Sequence, residues 1–187
     1  MIEVIDDVLD DSTFKVIYEV VSKHDFLWRW APSTVEGVAE AARTDTPQLV
    51  RPIMMAEFDD KCSENQIIGI WPEFQNIMLN TLAKSERKFT DCKFWRIKAN
   101  LLMPHPHAPT FHPPHTDTDA ENGMSCIYYL NDSDGDTFFF GEDNRTVTPK
   151  ENRAVLFDAH HHHCSSNPIN TDRRMIINTV AFVQEEK

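Results

Sequence analysis

Cysteine is scarce in this chain and poorly placed for cross-linking. Cys62, Cys92, Cys126 and Cys164 are scattered, and no two of them stand at Cys-x-x-Cys spacing. This argues against a thiolate zinc site and a disulfide framework, and makes a reducing, cytoplasmic compartment the expectation. Positive charge is short as well. Lys and Arg number 18 against 30 Asp and Glu, a net charge of −12, which disfavours nucleic acid or an anionic membrane as the main partner. Long apolar runs are missing, so no bilayer span is expected. The opening stretch MIEVIDDVLDD has neither the basic start nor the apolar core of a signal peptide.

What remains is a chain of 187 residues, long enough for a continuous core and short enough for one domain. No internal repeat or linker divides it, and a single domain over 1–187 is the expectation. Residues 1–93 read as helical support and as the substrate-side region that would carry specificity. In DSTFKVIYEVVSKH, Phe14, Ile17, Tyr18 and Val21 recur at helical spacing after the capping residues Asp11 and Ser12. A second helix is expected from Trp71-Pro72, with Phe74, Ile77, Met78 and Leu82 on one face. Trp28 and Trp30 read as a loop or short strand between them. From about Phe94 the pattern changes to short β-rich runs separated by turn residues: FWRIKANLLM, MSCIYYLN, DTFFFG, RTVTP, NRAVLFD and RMIINTVAFV. Such runs without intervening helices predict an antiparallel sandwich or barrel over 94–187.

One local exception breaks the acidic character. KSERKFTDCKFWRIK, Lys84 to Lys98, carries more bases than acids and interleaves aromatics. It reads mainly as a helix end running into a strand with solvated charges, and secondarily as a substrate-binding strip. DSDGD, Asp132 to Asp136, alternates acids like a calcium loop. Its sixth position counted from Asp132 is Thr137 where glycine is needed, so a hairpin turn is expected.

Histidine is concentrated where the strands are. Eight of the nine lie between His105 and His163, four of them consecutive in VLFDAHHHHCSSNP. His115 stands two residues before Asp117 in PPHTDTD. On a strand those two side chains share a face, so an imidazole nitrogen and a carboxylate oxygen can reach one ion. A distant histidine completing three ligands would make the facial triad of non-haem iron(II) enzymes. His-x-Asp alone is a weak signal.

The surrounding pattern is more specific. PHTD, CIYYLND, TVTPKENRAVLFD, a following histidine and RRMIINTVAF resemble the catalytic half of the prolyl-hydroxylase-like 2-oxoglutarate and iron(II)-dependent dioxygenases, over roughly Phe94 to Val183. The resemblance implies a double-stranded β-helix (jelly-roll) core flanked by α-helices. It implies His115, Asp117 and His163 as iron ligands, with His162 as the fallback and His160 and His161 in the preceding loop. It implies Arg174 as the partner of the far carboxylate of 2-oxoglutarate, a task that suits a planar guanidinium. Arg173, on the opposite face of the strand, is then turned to solvent. By the same resemblance Tyr129 gives its hydroxyl to that carboxylate while Tyr128 points away, and Asn178, four residues beyond Arg174, is a further candidate for the pocket. Relatives often carry paired glycines near DSDGD, where this chain has only Gly135.

The implied activity is hydroxylation of a C–H bond with O2, releasing succinate and carbon dioxide, with ascorbate as a possible external reductant. A prolyl residue of a peptide or protein is the leading substrate expectation, by analogy with the family. The alternatives are a hydroxylase or demethylase of a small molecule or nucleobase, and a non-enzymatic, cupin-like metal-binding barrel.

Overall fold

The computed structural model describes residues 2–35, 45–55, 71–142 and 144–186. Helix α1 (Asp11–Ser22) starts one residue earlier than its sequence signal. Asp10 is the N-cap, extended at φ −67° and ψ 156°, and its carboxylate accepts from the amides of Ser12 and Thr13 at 3.1 and 3.0 Å. Asp11 and Ser12 therefore lie in the first turn. Helix α2 (Trp71–Lys84) begins at the expected Trp-Pro pair and buries Phe74, Ile77, Met78, Thr81 and Leu82. Among the described residues, no helix is long and apolar enough to cross a membrane.

Among the described residues, ten strands form two antiparallel sheets. The larger has the order β1 (Ile2–Ile5), β8 (Arg153–Asp158), β5 (Gly123–Tyr129), β10 (Arg174–Glu185), β4 (Phe89–Leu102), β3 (Gln48–Met55), β2 (Arg29–Ala31). The smaller has the order β7 (Arg145–Val147), β6 (Thr137–Phe139), β9 (His163–Ser165), and a single bridge from His115 to His163 extends it by one position. The result is the two-sheet jelly roll with flanking helices. The front of the chain is less helical than its pattern implies, because β1, β2 and β3 all join the large sheet. Strands of three or four residues are too short to show a period, and β3 carries Pro52 at a register shift before Met54.

Strand alternation divides the core in two. One face of the large sheet sends Cys126, Tyr128, Leu130, Ala154, Leu156, Met175 and Ile177 against Ile17, Val21, Phe74, Ile77 and Met78 of the helices. The other face turns Ile127, Tyr129, Val155, Phe157 and Ile176 inward to meet Phe139 and Val147 of the small sheet. Strand β5 is covered on both sides and buried throughout. Ile77 is fully buried where α2 crosses the sheet. Ile77→Ala is expected to cost about 2–5 kcal/mol through lost burial and the cavity left behind, read as a shift in the denaturant midpoint at unchanged m-value.

Candidate metal centre

The segment after β4 folds back along the mouth of the sandwich and is strapped down by its backbone. The amide of His115 donates to the His163 carbonyl and the amide of His163 to the His115 carbonyl, both at 2.9 Å, while the amide of Asp117 donates to the Ala159 carbonyl at 2.9 Å. These bonds bring His115, Asp117 and His163 together, with one ligand atom from each within 4.8 Å of the others. The two imidazoles lie 4.6 Å apart, and His163 Nε2 is 3.7 Å from Asp117 Oδ2. His163 Nδ1 donates to the His161 carbonyl at 3.0 Å, and His115 Nδ1 lies 3.4 Å from the Pro113 carbonyl. With each Nδ1 facing a backbone acceptor, each Nε2 is left as the nitrogen that could bind a metal. Two such nitrogens and one carboxylate oxygen are a donor set that fits iron(II).

Electrostatics keeps these groups in forms that could ligate a cation. Burial, then the neighbouring His163, pushes the His115 pKa down to about 4 against the partial offset of Asp117. Burial also pulls His163 and His112 down. Burial works to raise Asp117, but Arg96, His163 and the Ser125 hydroxyl outweigh it and hold the carboxyl well below the usual carboxylate range. Neutral imidazoles and an ionised carboxylate are what a divalent cation needs.

The depressed histidines make metal-free protein sensitive to mild acid. An unfolded histidine takes up its proton near pH 6.5 and folded His115 only near 4, so below pH 6.5 the unfolded state binds more protons and stability falls with pH. His115 alone is expected to remove on the order of 2 kcal/mol between pH 7 and 5, with His112 and His163 acting in the same direction. Denaturant titrations of metal-free protein at the two pH values measure the loss.

Arg174 is 2% exposed at the start of β10. Its Nε donates to the Gly135 carbonyl at 2.7 Å and Nη2 to Thr137 Oγ1 at 2.8 Å, and its guanidinium carbon lies 5.6 Å from the Tyr129 ring centroid. Both hydrogen-bond partners are uncharged, so a buried cation here is suited to an incoming carboxylate. Tyr129 reaches this group through Thr137, whose hydroxyl is 2.7 Å from the phenol oxygen, while Tyr128 points to the helix side and donates to Asn152 at 2.7 Å. Asn178 lies on the Arg174 face of β10. One cavity is lined by His115, His163, Thr137, Arg174, Asn178 and Asn100, among others, so the histidines and the guanidinium open onto the same space. Arg173 is exposed and donates to the Tyr18 hydroxyl at 3.2 Å.

The segment that supports Arg174 is DSDGD, which is not the expected hairpin turn but crosses from β5 of the large sheet to β6 of the small one. Asp134 accepts from the amides of Ile169 and Asn170 at 3.1 and 2.8 Å and from the Thr171 hydroxyl at 2.8 Å, tying this segment to the loop before β10. A Cβ on Gly135 would lie 2.8 Å from the Ser166 carbonyl oxygen and 3.0 Å from Arg174 Cδ, so close packing requires glycine here. A second glycine is not needed at Asp136.

The other histidines separate by burial. His160 and His162 are exposed, and His161 stands in the turn, its amide donating to the Asp158 carbonyl at 2.8 Å. His112 is 1% exposed and fully engaged, with Nε2 2.8 Å from Asn167 Oδ1 and Nδ1 3.0 Å from Ser165 Oγ. The basic strip is not simply solvated. Arg87 pairs with Asp158 and Glu185 at 2.8 Å each, and Arg96 bonds Asp117. Lys98 lines the cavity. Arg96, Ser125 and Thr137 are site residues that the sequence pattern did not single out. Strand alternation puts Arg96 on the face of Lys98, Asn100 and Leu102, but no motif marks it.

Residues 102–181 match the 2OG-Fe(II) oxygenase superfamily. No curated protein matches the chain. Among solved structures it is similar to a Pseudomonas putida prolyl-4-hydroxylase, at 14% identity and TM-score 0.58, over 98% of this chain and 92% of that one. It is similar to a Trichoplax adhaerens prolyl hydroxylase in complex with a hypoxia-inducible-factor peptide fragment, at 14% identity and TM-score 0.52, over 97% and 83%. The epimerase SnoN in complex with Fe3+, alpha ketoglutarate and nogalamycin RO is similar at 12% identity and TM-score 0.58, over 97% and 78%. At these identities the likeness is one of fold.

Proposed function

We propose, from the match of residues 102–181 to the 2OG-Fe(II) oxygenase superfamily, a hydroxylase that uses iron(II), 2-oxoglutarate and O2 on a prolyl residue of a peptide or protein. The observation that carries this reading is one cavity lined both by two of the three triad residues and by the buried Arg174. When bound, iron and 2-oxoglutarate supply the oxidation: O2 is split between succinate and the new hydroxyl group, and carbon dioxide leaves. The chain's own residues do the rest. His115 and His163 offer Nε2, Asp117 offers a carboxylate oxygen, and Arg174 with Thr137 binds the far carboxylate and sets the direction of the keto acid. Leu102, Ile127 and Ile176 give the cavity an apolar wall that restricts water.

A second reading, a small molecule rich in hydrogen-bond donors, is favoured by polar groups on the same sheet face as those apolar residues. Asn100 Nδ2 donates to Gln48 Oε1 at 2.8 Å and Gln48 Nε2 to the Ser33 carbonyl at 3.0 Å, which fixes the orientation of the Asn100 amide. Asn100 Oδ1 and Asn178 Oδ1 are then buried with no hydrogen-bond partner. A prolyl ring has no donor for them, whereas a hydroxyl, amine or amide N–H does. Cys92, Cys126 and Cys164 are free thiols, in keeping with a reducing, cytoplasmic setting.

Iron-loaded protein is expected to release succinate from 2-oxoglutarate with O2 and ascorbate, slowly alone and faster with substrate. Stimulation by prolyl peptides supports the first reading and stimulation by polar small molecules the second. A protein that binds iron but neither binds nor consumes 2-oxoglutarate is a cupin-like metal-binding barrel.

A further inference from the structure

The two oxygens of Asp117 are held differently. Oδ1 receives Nη2 of Arg96. Oδ2 receives the Ser125 hydroxyl at 2.6 Å and lies 3.7 Å from His163 Nε2, so it is the oxygen on the side of the imidazoles. The pair is shielded, with side-chain exposures of 14% for Arg96 and 2% for Asp117. Arg96 Nε is buried without a hydrogen-bond partner. The guanidinium therefore keeps this place at the cost of an unsatisfied donor, which the charge-assisted contact with Asp117 has to offset.

We propose that Arg96 is a positioning residue that keeps Asp117 a one-oxygen ligand. The inference rests on reading His115, Asp117 and His163 as the iron site. A carboxylate can bind a cation through one oxygen or both. On a six-coordinate ion, three single-atom protein ligands leave roughly three positions open, enough for a two-point chelating co-substrate and O2. A two-oxygen Asp117 removes one of them. With Oδ1 tied to a guanidinium, Oδ2 alone faces the ion, and Ser125 occupies one of its lone-pair directions while leaving the other. Since β4 fixes Arg96 in register against Val180 of β10 and Met55 of β3, the constraint is built into the large sheet and not into the metal-binding loop.

The probe is manganese(II), whose effect on water-proton relaxation counts the exchangeable waters on the bound ion. Wild-type protein should hold roughly three, as expected for an octahedral ion with three protein ligands. Arg96→Met should bind manganese(II) with one water fewer, and its manganese form should bind 2-oxoglutarate about 10- to 100-fold more weakly, the range for losing a group that orients a ligand. Arg96→Lys, which keeps a charged donor, should restore most of both. If the methionine variant does not fold, Arg96→Leu, which likewise has no donor, takes its place and should show the same missing water. An unchanged water count and unchanged 2-oxoglutarate affinity overturn the proposal. So does tighter manganese binding with a full water count, which would mean that the guanidinium only fills the place of the cation. Wild-type protein that binds no manganese(II) overturns the metal-site reading itself, a failure distinct from either of these.

Discussion

His163→Ala protein is expected to lose metal affinity by at least about 100-fold and to release no succinate, while His160→Ala, His161→Ala and His162→Ala retain the metal. The lower bound follows because groups that only orient a ligand already cost 10–100-fold when removed. The four neighbours differ sharply in setting. His163 is 3% exposed, bridges to His115 through two backbone hydrogen bonds, and points Nε2 toward Asp117; His160 and His162 are exposed. His115→Ala and Asp117→Ala should match the His163 result, since each removes one of the three proposed ligands. Calorimetric titration with manganese(II), alongside thermal melts of the metal-free variants, separates lost ligation from lost folding. Loss confined to His162→Ala would move the third ligand by one residue, and retention in all four variants would place it elsewhere.

Arg174→Ala is expected to weaken 2-oxoglutarate binding by about 1.5–3 kcal/mol, roughly 10- to 150-fold, with manganese(II) affinity in the absence of 2-oxoglutarate left nearly unchanged. The substitution removes the buried cation, strands the Gly135 carbonyl and leaves the Thr137 hydroxyl with Tyr129 alone, so some loss of folding stability is expected as well. Arg174→Lys controls for this. It keeps the charge but not the two-pronged geometry, and should recover stability more fully than 2-oxoglutarate affinity. Arg173→Ala should leave both constants unchanged, because that side chain is exposed on the other side of the strand. A loss that follows Arg173 and spares Arg174 would invert the assignment of faces on β10.

Much of this architecture is legible in local pattern. Helical spacing marks both helices, because each buries one stripe against the sheet, and the Trp71-Pro72 pair marks where α2 begins. Alternation on β10 separates Arg174 and Asn178 from Arg173, since residues two apart share a face whatever the strand packs against. The spacing of His115 and Asp117 is a weak signal by itself, and the surrounding motifs are what single the pair out. The short strands β1 and β2 escape such reading, because three or four residues contain no measurable period, and what holds them is pairing with strands far away in the chain, β1 with β8 and β2 with β3.

By itself the sequence determined the strand-rich, jelly-roll half, the two flanking helices, the resemblance to 2-oxoglutarate and iron(II) dioxygenases and the shortlist of histidines. The helices and strands follow from residue type and local spacing, whereas the jelly roll and the choice among the histidines are what the resemblance over Phe94 to Val183 implies. Only the tertiary structure decided that Arg96, 21 residues before Asp117, reaches its carboxylate; that Ser125 donates to the other oxygen; and that Tyr129 meets Arg174 through Thr137. It also distinguished the histidines of the run by burial. The physical reason is common to all of these. Which polar groups meet in a low-dielectric interior depends on the register of strands distant in sequence, and a hydrogen bond or ion pair between such strands leaves no periodic trace in either one.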